Sequence, residues 1–247
     1  MLPTPVTIAI DGPSGSGKSS VSNALARELG IGYLDTSAMY RALTWWVLET
    51  GIDPRDQDAV ARAARELPLE ISTDPDAQAL TVDGTDVTEA IRETRISTEV
   101  SAVATNLDVR AELRRRQREL IERAREVSGG VVAEGRDITT VVAPDADHRF
   151  LLTASEEARL ARRSTELHGA AGSEQLAATR DQIVRRDRDD ATVSAFFEPA
   201  EGVVGIDTSE LTFEQSVQAV VDLLRGTLAE PAGTRPERPH TDPEENR

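Results

Sequence analysis

The residues Gly12-Pro13-Ser14-Gly15-Ser16-Gly17-Lys18-Ser19 carry the clearest chemistry in this 247-residue chain. Two glycines five apart, followed directly by Lys-Ser, are the spacing of a loop whose backbone N–H groups surround nucleotide phosphates. Lys18 is the only lysine of the chain, and every other basic residue is arginine. A compact ammonium on a flexible stem suits the gap between the β- and γ-phosphates, where the rigid fork of arginine fits poorly. The hydroxyl of Ser19 is a candidate Mg²⁺ ligand, and Ser20 continues the phosphate-binding run into the next element.

Such a loop works only between a strand and a helix, and both flank it. Val6-Thr7-Ile8-Ala9-Ile10 is a β-branched, nearly all-apolar run, as expected of a parallel strand buried on both faces. From Ser19 onward, Val21, Leu25 and Leu29 recur at i, i+4, i+8, and Gly30 supplies the stop of a helix. Ile31-Gly32-Tyr33-Leu34 reads as a second strand, ending in Asp35-Thr36-Ser37-Ala38-Met39-Tyr40-Arg41, with Thr36 or Ser37 capping the next helix. That helix carries Trp45 and Trp46, read as core rather than as base-stacking residues.

From about Gly51 to Arg95 the texture changes. Leu69-Glu70-Ile71-Ser72 and Leu80-Thr81-Val82 flank turn residues and imply small antiparallel hairpins inserted into the α/β frame. A helical region is expected from about Ile96 to Val127, with Arg114 to Arg118 on its solvated face. Strand character returns at Gly130-Val131-Val132-Ala133, followed by the charged run Glu134-Gly135-Arg136-Asp137, then at His148 to Thr153 and Val203 to Thr208. Charges at a strand's carboxyl end lie on the ligand-binding edge of an open α/β sheet. Ser155 opens a helix with Arg159, Arg162 and Arg163, and a polar interval leads to a second helix with Arg185, Arg186, Asp187 and Asp190. Two helices joined by such a tip can close over phosphates as a lid. Phe213 to Leu228 forms the last helix, and residues 229–247 read as a disordered tail.

Composition narrows the class. A net charge of -16 disfavours nonspecific binding to nucleic acid or anionic membranes. The chain has no cysteine, so disulfides and thiolate chemistry are excluded, and its three histidines show no metal-ligand spacing. No basic-then-apolar leader and no membrane-length apolar run is visible, so a soluble cytoplasmic protein is expected, with a monomer as the default.

Taken together, the phosphate loop, Asp35 to Arg41, Ser101 with Val109-Arg110, Gly135-Arg136-Asp137-Ile138, Ala154-Ser155 through Arg162-Arg163, and Arg186-Asp187 with Asp190 resemble the bacterial cytidylate kinases over residues 5 to 228. The resemblance implies a P-loop nucleoside monophosphate kinase fold of the α/β class: a parallel sheet flanked by helices, an inserted monophosphate-binding part at about 36–110 and a helical lid at about 160–190, all within a single domain over 1–228. It implies transfer of the ATP γ-phosphoryl group to CMP or dCMP with Mg²⁺. By matching position, Gly12 to Ser20 would bind ATP; Thr36, Arg41 and Arg136 would hold the acceptor phosphate. Ser101, Arg110 and Asp137 would read cytosine, Arg186 and Asp190 would serve the lid side of CMP, and Arg159 and Arg163 would face ATP. Lys18, Arg136, Arg159, Arg163 and Arg186 form the implied catalytic set. The chain departs from the family pattern at Thr139, where a glycine is frequent, and at Val193, where an arginine is common.

Other classes fit less well. A GTP-dependent switch needs Asn-Lys-x-Asp, which a chain with one lysine, already in the loop, cannot supply. A protein that binds ATP only to order itself would not need arginines at strand ends and in a lid. The nearest rival is a kinase for another monophosphate, such as UMP or AMP.

Overall fold

The computed structural model describes residues 5–168 and 187–229. Five parallel strands form the central sheet, in the order β2 (Gly32–Asp35), β6 (Gly130–Gly135), β1 (Val6–Asp11), β7 (His148–Thr153) and β8 (Val204–Asp207). Side chains alternate across this sheet as the period of two requires. Val6, Ile8 and Ile10 of β1, with Val132, Phe150 and Leu152, face helices α1 (Lys18–Leu29) and α7 (Phe213–Ala229), where Val21, Leu25, Val220 and Leu224 complete one core. Ala9, Val131 and Ala133 point the other way, into a second core built with α2 (Thr36–Glu49), α3 (Gln57–Glu66) and α5 (Leu107–Ser128). Trp45 and Trp46 lie half-buried against that second core, as their apolar helix implied.

The inserted region contains the expected antiparallel sheet, β3 (Leu69–Ile71), β4 (Leu80–Val82) and β5 (Thr85–Asp86). It then continues through a 3-10 turn at Ala90–Arg92 into α4 (Thr94–Ala104). Here the expected single helix from 96 to 127 is corrected to two. Asn106 has extended backbone, and its Oδ1 accepts the N–H groups of Asp108 and Val109, so it caps α5 and ends the run. A second correction concerns α2: its cap is Asp35, which accepts from the Ala38 N–H, and Thr36 is already helical.

Every strand of the main sheet ends on one edge, where Asp35, Asp11, Gly135, Thr153 and Asp207 lie. Helix α6 (Glu156–His168) leaves from that edge after β7, with Ser155 accepting from the Ala158 N–H as expected of a cap. Residues 169–186, which include Arg186 and most of the expected lid, and the expected tail beyond 229 lie outside the described residues. Among the described residues no helix is long and apolar enough to cross a membrane.

Candidate active site

The phosphate loop runs from β1 into α1, and its geometry follows from where glycine is required. Gly17 has φ 88° and stands as the residue before helix α1, so the N–H groups of the first turn open toward the loop. Lys18 is buried, with Nζ 3.9 Å from Oε2 of Glu134 at the end of the neighbouring strand β6. Glu134 is fully buried beside Asp35, and Tyr33 donates its hydroxyl to Oε1 at 3.3 Å. Burial, with the Asp35 charge added, outweighs the opposing pull of Lys18 and pushes the Glu134 carboxyl up to about 7.

After Glu134 the chain turns through Gly135, where a Cβ would lie 2.5 Å from the Thr36 hydroxyl and 2.9 Å from the Ile138 side chain. Only glycine lets these elements meet so closely. Thr36 donates its hydroxyl to the Glu134 carbonyl at 2.8 Å, which pins the start of α2 to the end of β6. The turn then presents Arg136 and Asp137, both buried. Its far side is held by Asp11, the last residue of β1. Asp11 accepts the N–H groups of Ile138 and Thr139 at 2.9 and 2.8 Å and the Thr139 hydroxyl at 2.6 Å. The hydroxyl of Thr139, where the sequence departs from the expected pattern, therefore adds a third bond to this clamp.

Burial, ahead of those hydrogen bonds, pushes the Asp11 carboxyl up to about 6. A carboxyl whose folded pKa lies above its unfolded value stabilises the fold below the unfolded pKa, and that contribution is lost as pH rises through the folded one. The stability advantage of the wild-type protein over Asp11→Asn is therefore expected to shrink by about 2–3 kcal/mol between about pH 4 and pH 7. Chemical denaturation across that range measures it, and a constant difference would mean that Asp11 ionises as in the unfolded chain.

Beyond this clamp, a cavity is lined by Thr36, Ser37, Tyr40, Ala104, Arg110, Arg136, Asp137 and Asp190. At one end, Arg110 donates to Asp137 at 2.8 Å, to Ser194 Oγ at 2.6 Å and to the Ala104 carbonyl at 3.1 Å, with its guanidinium 5.9 Å from the Tyr40 ring centroid. At the other, Arg136 is paired with Asp187 at 2.7 Å and with Asp190 at 3.0 Å, and lies 4.5 Å over the Phe196 ring. Asp187 also accepts from Arg159 at 2.5 Å and from the Ser14 N–H at 3.2 Å. Donors from the phosphate loop, the β6 turn and α6 thus converge on one anion, an arrangement suited to a phosphoryl group passing between two polyanions.

Other expected site residues lie further out. Ser101 is on α4, one turn before Ala104, and is not part of the cavity wall. Arg41 donates to the Ile91 carbonyl and to Ser97 Oγ, both at 3.0 Å, and likewise is not on that wall. The Arg163 side chain and Arg186 lie outside the described residues. Arg162 instead joins α6 to the loop and to the residue that follows β8, through the Ser16 carbonyl at 3.4 Å and Thr208 Oγ1 at 3.0 Å.

Glu134 and Asp187, quoted in the sequence motifs but given no role there, also belong to the site, and so does Arg114, which the sequence placed on a solvated face. The position of Glu134 directly after an apolar strand was the available signal for it. Arg114 required a correction: the Arg114–Arg118 run is not a uniformly solvated face. Arg115 alone pairs only with helix neighbours, Glu112 and Glu119. Arg116 and Arg118 donate to carbonyls of residues 65, 67, 141 and 142, and Arg114 reaches Asp137, because α5 is wedged between the insertion and the sheet.

A model of the family described as "Cytidylate kinase" matches residues 8–226. The cytidylate kinase of Streptomyces avermitilis is 46% identical over 220 residues, covering 89% of this chain and 92% of its own. That of Cutibacterium acnes is 48% identical over 230 residues, covering 92% of this chain and 100% of its own. The Streptomyces griseus cytidylate kinase is 45% identical over 222 residues, 90% of this chain and 93% of its own. With the loop, the clamp and the arginine-lined cavity in one contiguous site, and with relatives of this similarity along nearly their whole length, the chain belongs to the cytidylate kinase family.

Proposed function

We infer that this protein transfers the γ-phosphoryl group of ATP to CMP or dCMP, giving ADP and the cytidine diphosphate. The observation that carries the reading is the cavity lined by the Arg110–Asp137 pair and by Arg136, joined through Thr36 and Glu134 to a lysine-bearing phosphate loop. The acceptor is already an anionic phosphate oxygen, so no strong general base is needed. What the reaction needs is two polyanions held in line with their charge offset. Lys18 and the loop amides of Gly12 to Ser20 hold the ATP phosphates, while Arg136 holds the acceptor and Arg159 spans the two. Thr36, Arg41, Ser101, Arg110, Asp137 and Asp190 line or support the CMP side. Cytosine offers an N4 amino donor, which a carboxylate such as Asp137 accepts, and an O2/N3 acceptor edge suited to Arg110; uracil reverses the first pattern.

Mg²⁺ belongs to this reading. Among the described residues Oε2 of Glu134 is buried without a hydrogen-bond partner, and Ser19 and Asp35 lie beside that carboxylate, a hard-oxygen set that suits the ion. Ser19, with Glu134 behind it, would hold the ion, which supplies charge neutralisation on the β- and γ-phosphates. The same reading has residues 1–228 working as one domain, with an acceptor-binding insertion at about 36–110 and a lid at about 160–190, as a monomer in the cytoplasm.

A coupled ADP-release assay with Mg-ATP and CMP, dCMP, UMP, AMP, GMP or dTMP, with a no-acceptor control, tests it. Turnover is expected with CMP and dCMP at more than about tenfold the kcat/KM of any other acceptor. Preferential turnover of another base would overturn the cytosine assignment, and hydrolysis without an acceptor would overturn the transferase reading.

A further inference from the structure

The carboxylate of Asp137 is held by two guanidiniums, only one of which belongs to the cavity. Arg110 Nη2 donates to Oδ2 at 2.8 Å from the cavity wall. Arg114 donates to the same oxygen twice, from Nε at 3.0 Å and Nη2 at 2.8 Å, and is not among the residues lining the cavity. Four positions separate the two arginines on α5, so they share one face of that helix and reach Asp137 side by side. Among the described residues Oδ2 therefore takes three N–H bonds and Oδ1 takes none.

This asymmetry bears on recognition. An oxygen with three donors has no lone pair left for a fourth, so an amino group entering the cavity meets Oδ1. Without Arg114, the carboxylate would keep one donor on Oδ2, from an arginine that also serves the Ala104 carbonyl and Ser194 Oγ. It could then rotate, or turn both oxygens onto Arg110 as a bidentate pair, the favoured geometry of an isolated arginine and carboxylate. Either movement removes the acceptor from the base.

We propose that Arg114 is a positioning residue for acceptor selection: from outside the cavity it saturates one oxygen of Asp137 and orients the other toward the exocyclic amino group of a cytosine-type base. The proposal rests on the reading of Asp137 as the residue that accepts from cytosine. Arg114 is not on the cavity wall, and its side chain is 24% exposed, against 7% for Asp137.

The test uses the full chain with Arg114→Met, Arg114→Lys and Asp137→Asn, and measures kcat and KM for CMP and UMP at saturating Mg-ATP together with the melting temperature. Arg114→Met is expected to raise KM for CMP about tenfold, with kcat changed less than about twofold. It is also expected to lower the CMP-to-UMP ratio of kcat/KM about tenfold, with KM for ATP unchanged. Arg114→Lys, which restores a charge near Oδ2 without the fork, is expected to recover part of the ratio and covers the case in which the methionine variant does not fold. If Asp137→Asn lowers the CMP-to-UMP ratio and neither Arg114 variant does, the positioning role is overturned while the reading of Asp137 stands. A lower melting temperature with unchanged KM and ratio would likewise leave Arg114 a purely structural ion pair and overturn the proposal. If Asp137→Asn leaves the ratio unchanged, the cytosine reading fails first and takes this proposal with it.

Discussion

Lys18→Ala lowers kcat for phosphoryl transfer by about 1000-fold, the scale on which a cation at a transferring phosphoryl group acts, and leaves the protein folded. Both halves follow from its surroundings. Nζ is held between the phosphate loop and a buried carboxylate, with the lysine side chain 11% exposed, so the charge acts in a site with little water to screen it. Removing the ammonium leaves Glu134 buried at 0% exposure without its nearest cation. That carboxyl already stands at about 7, and losing the downward pull of Lys18 moves it higher, so at neutral pH it takes up a proton instead of remaining a bare buried charge. The change in stability is therefore modest, and the loss of rate reports chemistry. Lys18→Arg is expected to recover little, because the planar fork does not reproduce a point charge on a flexible stem. The coupled ADP assay beside a thermal melt decides the matter, and a folded alanine variant with kcat within tenfold of wild type would remove Lys18 from the reaction.

Sequence reasoning reached the parts of this site that local pattern encodes. The phosphate loop is eight consecutive residues, and the two central strands beside it are nearly all apolar until their last residues, so both the loop and its place at the carboxyl edge were legible. The break at Asn106 was legible too in principle, since Asn106-Leu107-Asp108 is a capping signal, but the hydrophobic periodicity of the two helices runs on through it and masked the boundary. The clamp between Asp11 and Thr139 spans 128 residues, and the contact between Ser14 and Asp187 spans 173, so no window of sequence contains both partners. Arg114 shows the limit most clearly. Its spacing from Arg110 was visible, yet four arginines within five positions of a polar helix match a solvated face equally well. Only the wedging of α5 against the β6 turn separates Arg114 from Arg115, its exposed neighbour.

Arg136→Ala is the harsher of the two site substitutions, because Arg136 lines the cavity and ties it to Asp187 and Asp190. Its guanidinium donates to Asp187, pairs with Asp190 and lies over Phe196, and the residue is 9% exposed. On the proposed mechanism, deleting it removes one of the cations that offset charge on the transferring group, and a loss of about 1000-fold in kcat/KM for CMP is expected. It also withdraws a partner from two buried carboxylates, at about 3 kcal/mol of stability. Asp187 retains Arg159 and the Ser14 N–H, which keeps the segment around Asp187 attached and the variant folded. Arg136→Lys separates the two effects. A lysine restores positive charge near the carboxylates and with it much of the melting temperature, but one ammonium cannot reproduce the forked geometry that reaches Asp187 and Asp190 from Nη1 and Nε. Recovery of stability without recovery of turnover is the expected result. If Arg136→Ala is folded and fully active, the acceptor phosphate is held elsewhere, and Arg41, set one and a half turns along α2 from Thr36, becomes the first place to look.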